Sequence, residues 1–379
     1  MKKDKAKRNT AIMALILLLA AVSIGSSIYS TLLPTLRRLG SDAALLAAAA
    51  AMPEGTLSLL EQQFSGYLEQ KEAPAEPSSI SEPEPQPAQP NEEPSSQTTV
   101  QPAPEIEKQY RGTLVAETMY GSESAVCYSI GSGFLRNYTS FSKERILSEL
   151  AKPLKFAPKA DGTIEVLIMH THATESYEPY DAEFYDTRND WRSTDNGKNM
   201  VAVGNVIEEQ LKAAGIGVVH DTTQFDYPSY NGSYDRAAET IEEYLKKYPD
   251  IQLILDVHRD GIQRDETTIV KPYTVIDGKK AAQVMILCGS DIDGTLGMPN
   301  WSDNLRMAAA VTNAVESAVP SLMRPIFFSG NRYNMDLCGG TILLEIGSQA
   351  NTLEEAMYSA QLLGSALAEY ILEQKEANA

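Results

Sequence analysis

From residue 163 onward the chain alternates short, mostly apolar runs with longer stretches whose apolar positions recur every three or four residues. Residues 163–169 form a short run rich in β-branched and apolar residues after Asp161-Gly162, which predicts a buried strand. Residues 198–214 place Met200, Val203, Ile207, Leu211 and Ala214 on one helical stripe, and Gly215 ends it. Residues 216–219 predict a second strand. Tyr234, Ala238, Ile241, Leu245 and Tyr248 mark a second helix, stopped by Pro249. Residues 251–257 predict a third strand. Residues 273–276 and 281–288 flank Asp277-Gly278, a dipeptide suited to a tight primed turn, and predict a hairpin. A helix is expected over 302–318 and a buried strand over 341–346. The last helix opens at Thr352 with Glu355 three residues on, a capping box, and runs to about Leu372. Strands alternating with helices predict an α/β fold, a mixed sheet flanked by helices on both faces. No internal repeat is evident.

The pattern before residue 109 is different. Lys2, Lys3, Lys5, Lys7 and Arg8 precede an uncharged apolar run over residues 11–28. A run of about 20 apolar residues crosses a bilayer as a helix. The basic flank places the N-terminus in the cytoplasm and the remainder outside. A cleavable signal has a core of only about 7–15 residues, so an uncleaved transmembrane helix over residues 1–29 is expected. Small residues at Ser23, Gly25, Ser26 and Ser27 keep cleavage as the competing outcome. Residues 30–70 form a juxtamembrane segment whose Ala/Leu run, 43–52, is too short to span. Nine of the 20 prolines fall within 71–108, interleaved with Glu, Ser and Gln. That composition predicts a disordered tether, which at about 3.1 Å per residue reaches on the order of 100 Å. Residues 109–379 are expected to form the catalytic domain.

Charge sharpens this division. The 379 residues carry 32 Lys and Arg against 51 Asp and Glu, a net charge of -19. Residues 109–379 hold -15 of it and the tether -6. So acidic a chain is no generic nucleic-acid binder, and bulk attraction would not hold it on an anionic surface. Three cysteines are too few for a disulfide framework, and no CxxC pair suggests structural zinc.

The predicted strand ends carry the unusual residues. The first strand runs into His170-Thr171-His172-Ala173-Thr174-Glu175, and the third into Asp256-Val257-His258-Arg259-Asp260-Gly261. In open α/β sheets the ligand crevice lies beyond the carboxyl ends of strands. Zinc hydrolysis needs about three protein ligands, commonly His and a carboxylate, with a free carboxylate to carry the proton. His172 and Glu175 supply two ligands from one turn of chain, and His258 a third. His170 competes with His172, and Asp195 with Glu175. Glu345 is a lone charge inside the apolar strand over 341–346, which is costly unless a site uses it. It is the candidate general base and acid. Asp256 or Asp260 is placed to orient a ligand imidazole through its second nitrogen. Arg259 is a candidate for holding a substrate carboxylate. Tyr227, Tyr230 and Tyr234, and Tyr177, Tyr180 and Tyr185, either line a sugar or peptide groove or pack the fold. Against these stand plainer roles: loop hydrogen bonds for the histidines, a turn cap for Asp256 and an ion pair for Glu345.

The segments HTHATESY (170–177), KNMVAVG (198–204), DVHRDG (256–261) and GGTILLEIGS (339–348), in that order, resemble the stage II sporulation protein P family. The resemblance covers about residues 110–379, and the anchor and Pro-rich tether suit it. That family resembles the zinc N-acetylmuramoyl-L-alanine amidases, with a carboxypeptidase-like α/β fold. The resemblance implies Zn2+ and cleavage of peptidoglycan between N-acetylmuramic acid and L-alanine, with a second endopeptidase activity on cross-links. It implies action at the membrane around the forespore during engulfment, with stage II sporulation proteins D and M as partners. It places the metal histidines at His170 or His172 and at His258, and the catalytic glutamate at Glu345. One departure stands out. Typical amidases carry a metal Glu where this chain has Gly197-Lys198-Asn199, so Glu175 is expected in that role. Two competing functions are a non-catalytic wall-binding scaffold and a zinc carboxypeptidase that uses Arg259.

Overall fold

The computed structural model describes residues 105–378; the expected anchor, the juxtamembrane segment and nearly all of the tether lie outside the described residues. Among the described residues no helix is long and apolar enough to cross a membrane. The chain first forms β1 (Arg111–Glu117), β2 (Cys127–Ser129), β3 (Phe134–Asn137) and α1 (Lys143–Leu150). Next come β4 (Ile164–Met169), β5 (Phe184–Asp186), α2 (Met200–Ala213), β6 (Gly217–His220), α3 (Ser233–Lys247) and β7 (Leu253–Asp260). After them run β8 (Gln263–Asp265), β9 (Thr268–Ile276), β10 (Lys279–Ala282) and β11 (Val284–Gly289). The last elements are α4 (Trp301–Ala318), β12 (Ile326–Ser329), β13 (Thr341–Ser348) and α5 (Leu353–Ala377).

Eight strands form the main sheet in the order β2-β3-β12-β11-β13-β7-β4-β6. The β13-β7-β4-β6 half is parallel, and β11 joins β13 antiparallel, so the sheet is mixed. Helices cover both faces. On one, Val166, Ile168, Leu255, Val257, Ile342 and Leu344 pack beneath α2, α4 and α5. On the other, Leu167, Met169 and Ile254 meet Ala237 and Ile241 of α3. The two sets alternate along each strand because successive side chains point to opposite faces.

Local signals account for the helix ends. Asn199 caps α2 by accepting from Val201 N, and Thr352 and Glu355 form the expected capping box on α5. Where α2 crosses α5 the backbones come close. A Cβ on Gly364 would lie 2.9 Å from Gln210 Cβ, so glycine permits the contact.

A second sheet, β10-β9-β1-β5 with β8 beside β9, lies apart from the main one in pairing. Asp277 and Gly278 do turn β9 into β10, both with positive φ. The run 281–288 is nevertheless not one strand. It breaks at Gln283, whose Oε1 accepts from Met119 N and whose Nε2 donates to Ser321 O. Residues before the break pair with β9, and those after it with β12 and β13. A polar side chain with buried backbone partners on two segments lets the chain change sheets there.

Candidate metal centre and catalytic site

The site lies past the carboxyl ends of β4, β7 and β13, on the sheet face that α3 covers. Period-two alternation puts Asp256, His258 and Asp260 of β7 on that face, opposite the core-facing Leu255 and Val257. In the parallel register Glu345 of β13 sits beside His258. After β4 the chain turns over Thr171–Thr174 and brings His172 and Glu175 across to His258.

One ligand atom from each of His172, Glu175 and His258 lies within 4.8 Å of the others, and all three residues are buried. His172 Nδ1 is 3.7 Å from Glu175 Oε1, and His258 Nδ1 is 3.5 Å from Glu175 Oε2. Ligand atoms set tetrahedrally about 2.0–2.2 Å from one ion stand roughly 3.4 Å apart. Two imidazoles and a carboxylate at this spacing suit a Zn2+-sized cation. Burial pushes His172 down to about 3, leaving a neutral ring with a lone pair to offer. Burial alone would raise Glu175, but His258, Arg259 and Arg192 hold it ionised. Burial opposes charge on His258 too, yet Asp256 and Glu175 raise it well above the ordinary histidine value. A metal would therefore displace a proton from His258.

Behind the ligands stands a shell of fixed acceptors. Asp256 accepts from Thr171 N at 2.8 Å and from Thr171 Oγ1 at 2.7 Å. Its Oδ1 lies 2.9 Å from His258 Nε2, too bent for a hydrogen bond, so that buried nitrogen has no hydrogen-bond partner among the described residues. Glu345 Oε2 is likewise buried without one. Glu345 as a whole residue is only partly buried. Burial, reinforced by Asp260 and opposed by His258, pushes it up to about 8.

The remaining expected residues take other places. His170 continues the alternation of β4 onto the opposite face, where its Nδ1 meets Val257 O and its Nε2 meets His220 Nε2 at 2.8 Å. It is not one of the three clustered donors. Arg259 also points away from the His258 face. Its Nε donates to Ser176 O, and its other nitrogens to Asp260 O and Trp191 O. That guanidinium ties the loop to β7 and is not free for a substrate carboxylate. Asp260 pairs with Arg324 at 2.9 Å, not with an imidazole. Asp195 is exposed and caps its own turn through Gly197 N.

The family model described as stage II sporulation protein P matches residues 54–368. The chain belongs to that family. Stage II sporulation protein P of Bacillus subtilis (strain 168) is 28% identical over 225 residues, 56% of this chain and 53% of that protein. The chain thus spans about half the length of the curated relative it matches. Among solved structures, the N-acetylmuramoyl-L-alanine amidase AmiC2 of Nostoc punctiforme is 13% identical, with a TM-score of 0.31 over 56% of this chain and 97% of that one. The CwlD amidase of Clostridioides difficile, solved with the GerS lipoprotein, is 8% identical with a TM-score of 0.32, over 56% of this chain and 99% of that one. Likeness that faint carries no weight in assigning residues or chemistry.

In this family member several site residues escaped the motif search. Asp226 accepts from Thr174 N and Oγ1 and from Arg192 Nη1, and Arg192 Nη2 lies 3.8 Å from Glu175 Oε1. Nothing local in sequence marks either residue, because they meet the motif only through the folded loop. Tyr230 stacks on His172 with ring centroids 4.4 Å apart, and Tyr234 meets its edge at 5.5 Å. The tyrosine spacing did hint at these two.

Proposed function

We propose that this chain is a metal-dependent peptidoglycan hydrolase, cleaving the amide between N-acetylmuramic acid and L-alanine and, at the same centre, stem-peptide cross-links. The observation that carries the reading is the buried His172–Glu175–His258 cluster beside the unpartnered carboxyl of Glu345. Membership of a sporulation family supplies the setting. His172, Glu175 and His258 hold the ion, with Zn2+ the best match to two nitrogens and one oxygen. When bound, Zn2+ supplies Lewis acidity, polarising the scissile carbonyl and acidifying water.

The chain's own groups do the rest. Asp256 keeps His258 Nε2 protonated and so leaves Nδ1 as the ligand atom. Glu345 takes a proton from the attacking water at its carboxylate and returns it to the departing nitrogen. A base of raised proton affinity suits that double duty near neutral pH. Arg259 and Asp226 hold the loop that carries His172 and Glu175. Residues 1–29 anchor the enzyme in the membrane, 71–108 act as a spacer, and 109–379 work on the outer face around the forespore. Peptidoglycan is the substrate, and stage II sporulation proteins D and M are the proposed partners.

The test uses the full chain in detergent. Purified sacculi should release stem peptides, a chelator should stop release, and Glu345→Gln should abolish it while metal content stays at one ion per chain. Full activity in Glu345→Gln would sink the mechanism. Release of free D-alanine alone would favour a carboxypeptidase.

A further inference from the structure

The turn Arg332–Met335 is built against its own residue preferences. Met335 N donates to Arg332 O at 2.9 Å, and the two central residues, Tyr333 and Asn334, have φ of 48° and 55°. Two positive φ values in sequence are the mark of a type I′ turn, where Asn-Gly is favoured. Asparagine tolerates that region, but a bulky aromatic there is an outlier. Strain of this kind persists only where surrounding structure enforces it. Here it is enforced on both flanks. Asn334 Nδ2 donates to Tyr234 O at 2.7 Å, and Asn300 and Asn304 both donate to Met335 O.

The enforced turn aims Tyr333 at the site. Its ring packs against Tyr234 at 5.9 Å, and Tyr234 in turn meets the edge of His172. Asn331 Nδ2 donates to the Tyr333 hydroxyl at 2.7 Å. An amide NH2 can only donate, so toward Asn331 the phenolic oxygen is the acceptor and its own hydrogen is not taken by that amide. Burial, opposed by hydrogen bonding from Asn331 and from the nearby Ser329 side chain and reinforced by Glu345, pushes the phenol up to about 12, so that hydrogen stays in place at neutral pH. Tyr333 keeps part of its surface open to solvent.

We propose that the Tyr333 hydroxyl contacts substrate, donating its hydrogen to a carbonyl oxygen of the peptide portion. The inference rests on the peptide-hydrolase reading above and adds a specificity contact to it. A side chain needed only for packing could have been accommodated without placing tyrosine at a left-handed position. An oriented phenol beside an aromatic wall suits an extended peptide amide, which offers a carbonyl acceptor and a flat face.

The experiment measures binding of N-acetylmuramoyl-L-alanyl-D-isoglutamine by calorimetry to the zinc-loaded full chain in detergent, in the Glu345→Gln background that prevents turnover. Adding Tyr333→Phe should weaken binding about tenfold with an unchanged melting temperature, the effect of one neutral hydrogen bond. Tyr333→Asn suits the turn better but loses the ring packed on Tyr234, so it should melt somewhat lower and bind equally weakly. Affinity within twofold of the parent for Tyr333→Phe overturns the proposal, as does weakened binding that tracks a lowered melting temperature in both variants. Sacculus hydrolysis by the wild-type chain is run alongside. Failure of the parent to bind this probe or of the wild type to cleave sacculi sinks the underlying reading, and shows before any Tyr333 variant is compared.

Discussion

Asp256→Asn removes one charge and almost no shape. Asp256 collects two donors, Thr171 N at 2.8 Å and Thr171 Oγ1 at 2.7 Å, and its Oδ1 lies 2.9 Å from His258 Nε2. An asparagine can keep its oxygen toward Thr171 N and His258. Its amide then faces Thr171 Oγ1, which rotates from donor to acceptor. The contacts survive and the negative charge does not. Hydrogen bonds to a charged partner are worth about 1.5–3 kcal/mol against about 0.5–1.5 kcal/mol for neutral ones. Two such bonds weakened, less the relief of burying no charge, leaves a stability loss of about 1–2 kcal/mol in the metal-free protein. The larger effect falls on His258. Loss of an outer-shell carboxylate typically costs about 10–100-fold in metal affinity, or about 1.4–2.8 kcal/mol. Competition against a colorimetric zinc chelator measures that affinity directly, and denaturant unfolding with excess chelator gives the stability term. Zinc affinity within twofold of wild type would refute the role given to Asp256. So would a loss of affinity that Asp260→Asn reproduces equally, since Asp260 pairs with Arg324 instead.

Two further outcomes follow from the same geometry. A Cβ on Gly204 of α2 would lie 2.7 Å from His170 Nε2 and 2.8 Å from His220 Nε2. Overpacking costs about 1–3 kcal/mol and the helix gains about 1 kcal/mol from alanine, so Gly204→Ala should lower unfolding free energy by up to about 2 kcal/mol; a variant more stable than wild type contradicts the close contact. In the chelated protein Glu345 is pushed from its ordinary 4.5 up to about 8, so the unfolded chain ionises there first as pH rises. The stability held by its protonated form is complete below about pH 4.5 and is lost as pH climbs toward 8. The melting temperature should therefore fall more steeply between pH 5 and 8 in wild type than in Glu345→Gln, and parallel slopes would refute the assignment.

Much of the fold was legible because its core strands are buried on both faces and read as short, β-branched runs. The strand over 164–169 and the helices over 200–213 and 301–318 lie within two residues of expectation. Four other strands were not legible. β1 is half exposed and interrupted by small residues, and β2, β3 and β12 are only three or four residues long. Segments that short gain their order from neighbours, not from their own pattern. At the site, alternation along β7 already separates Asp256, His258 and Asp260 from Arg259. The same period places Arg259 away from the site face, where its guanidinium holds Ser176 O and Trp191 O.

Spacing and composition were thus sufficient for the α/β class and the four motifs, and they narrowed the candidate ligands to His258 with His170 or His172 and Glu175 or Asp195, leaving Glu345 as the charge out of place. These are local matters, set by side-chain periodicity and by the cost of a carboxylate in an apolar strand. Three things were decided only by the fold. The turn after β4 carries His172 to the β7 site face and leaves His170 on the other, bonded to His220. The polar anchoring of Gln283 splits one apolar run between two sheets. Arg192, Asp226 and Tyr333 join the site from loops that no motif marks. In each case the deciding interaction links residues far apart in the chain, and such a contact leaves no trace in local pattern.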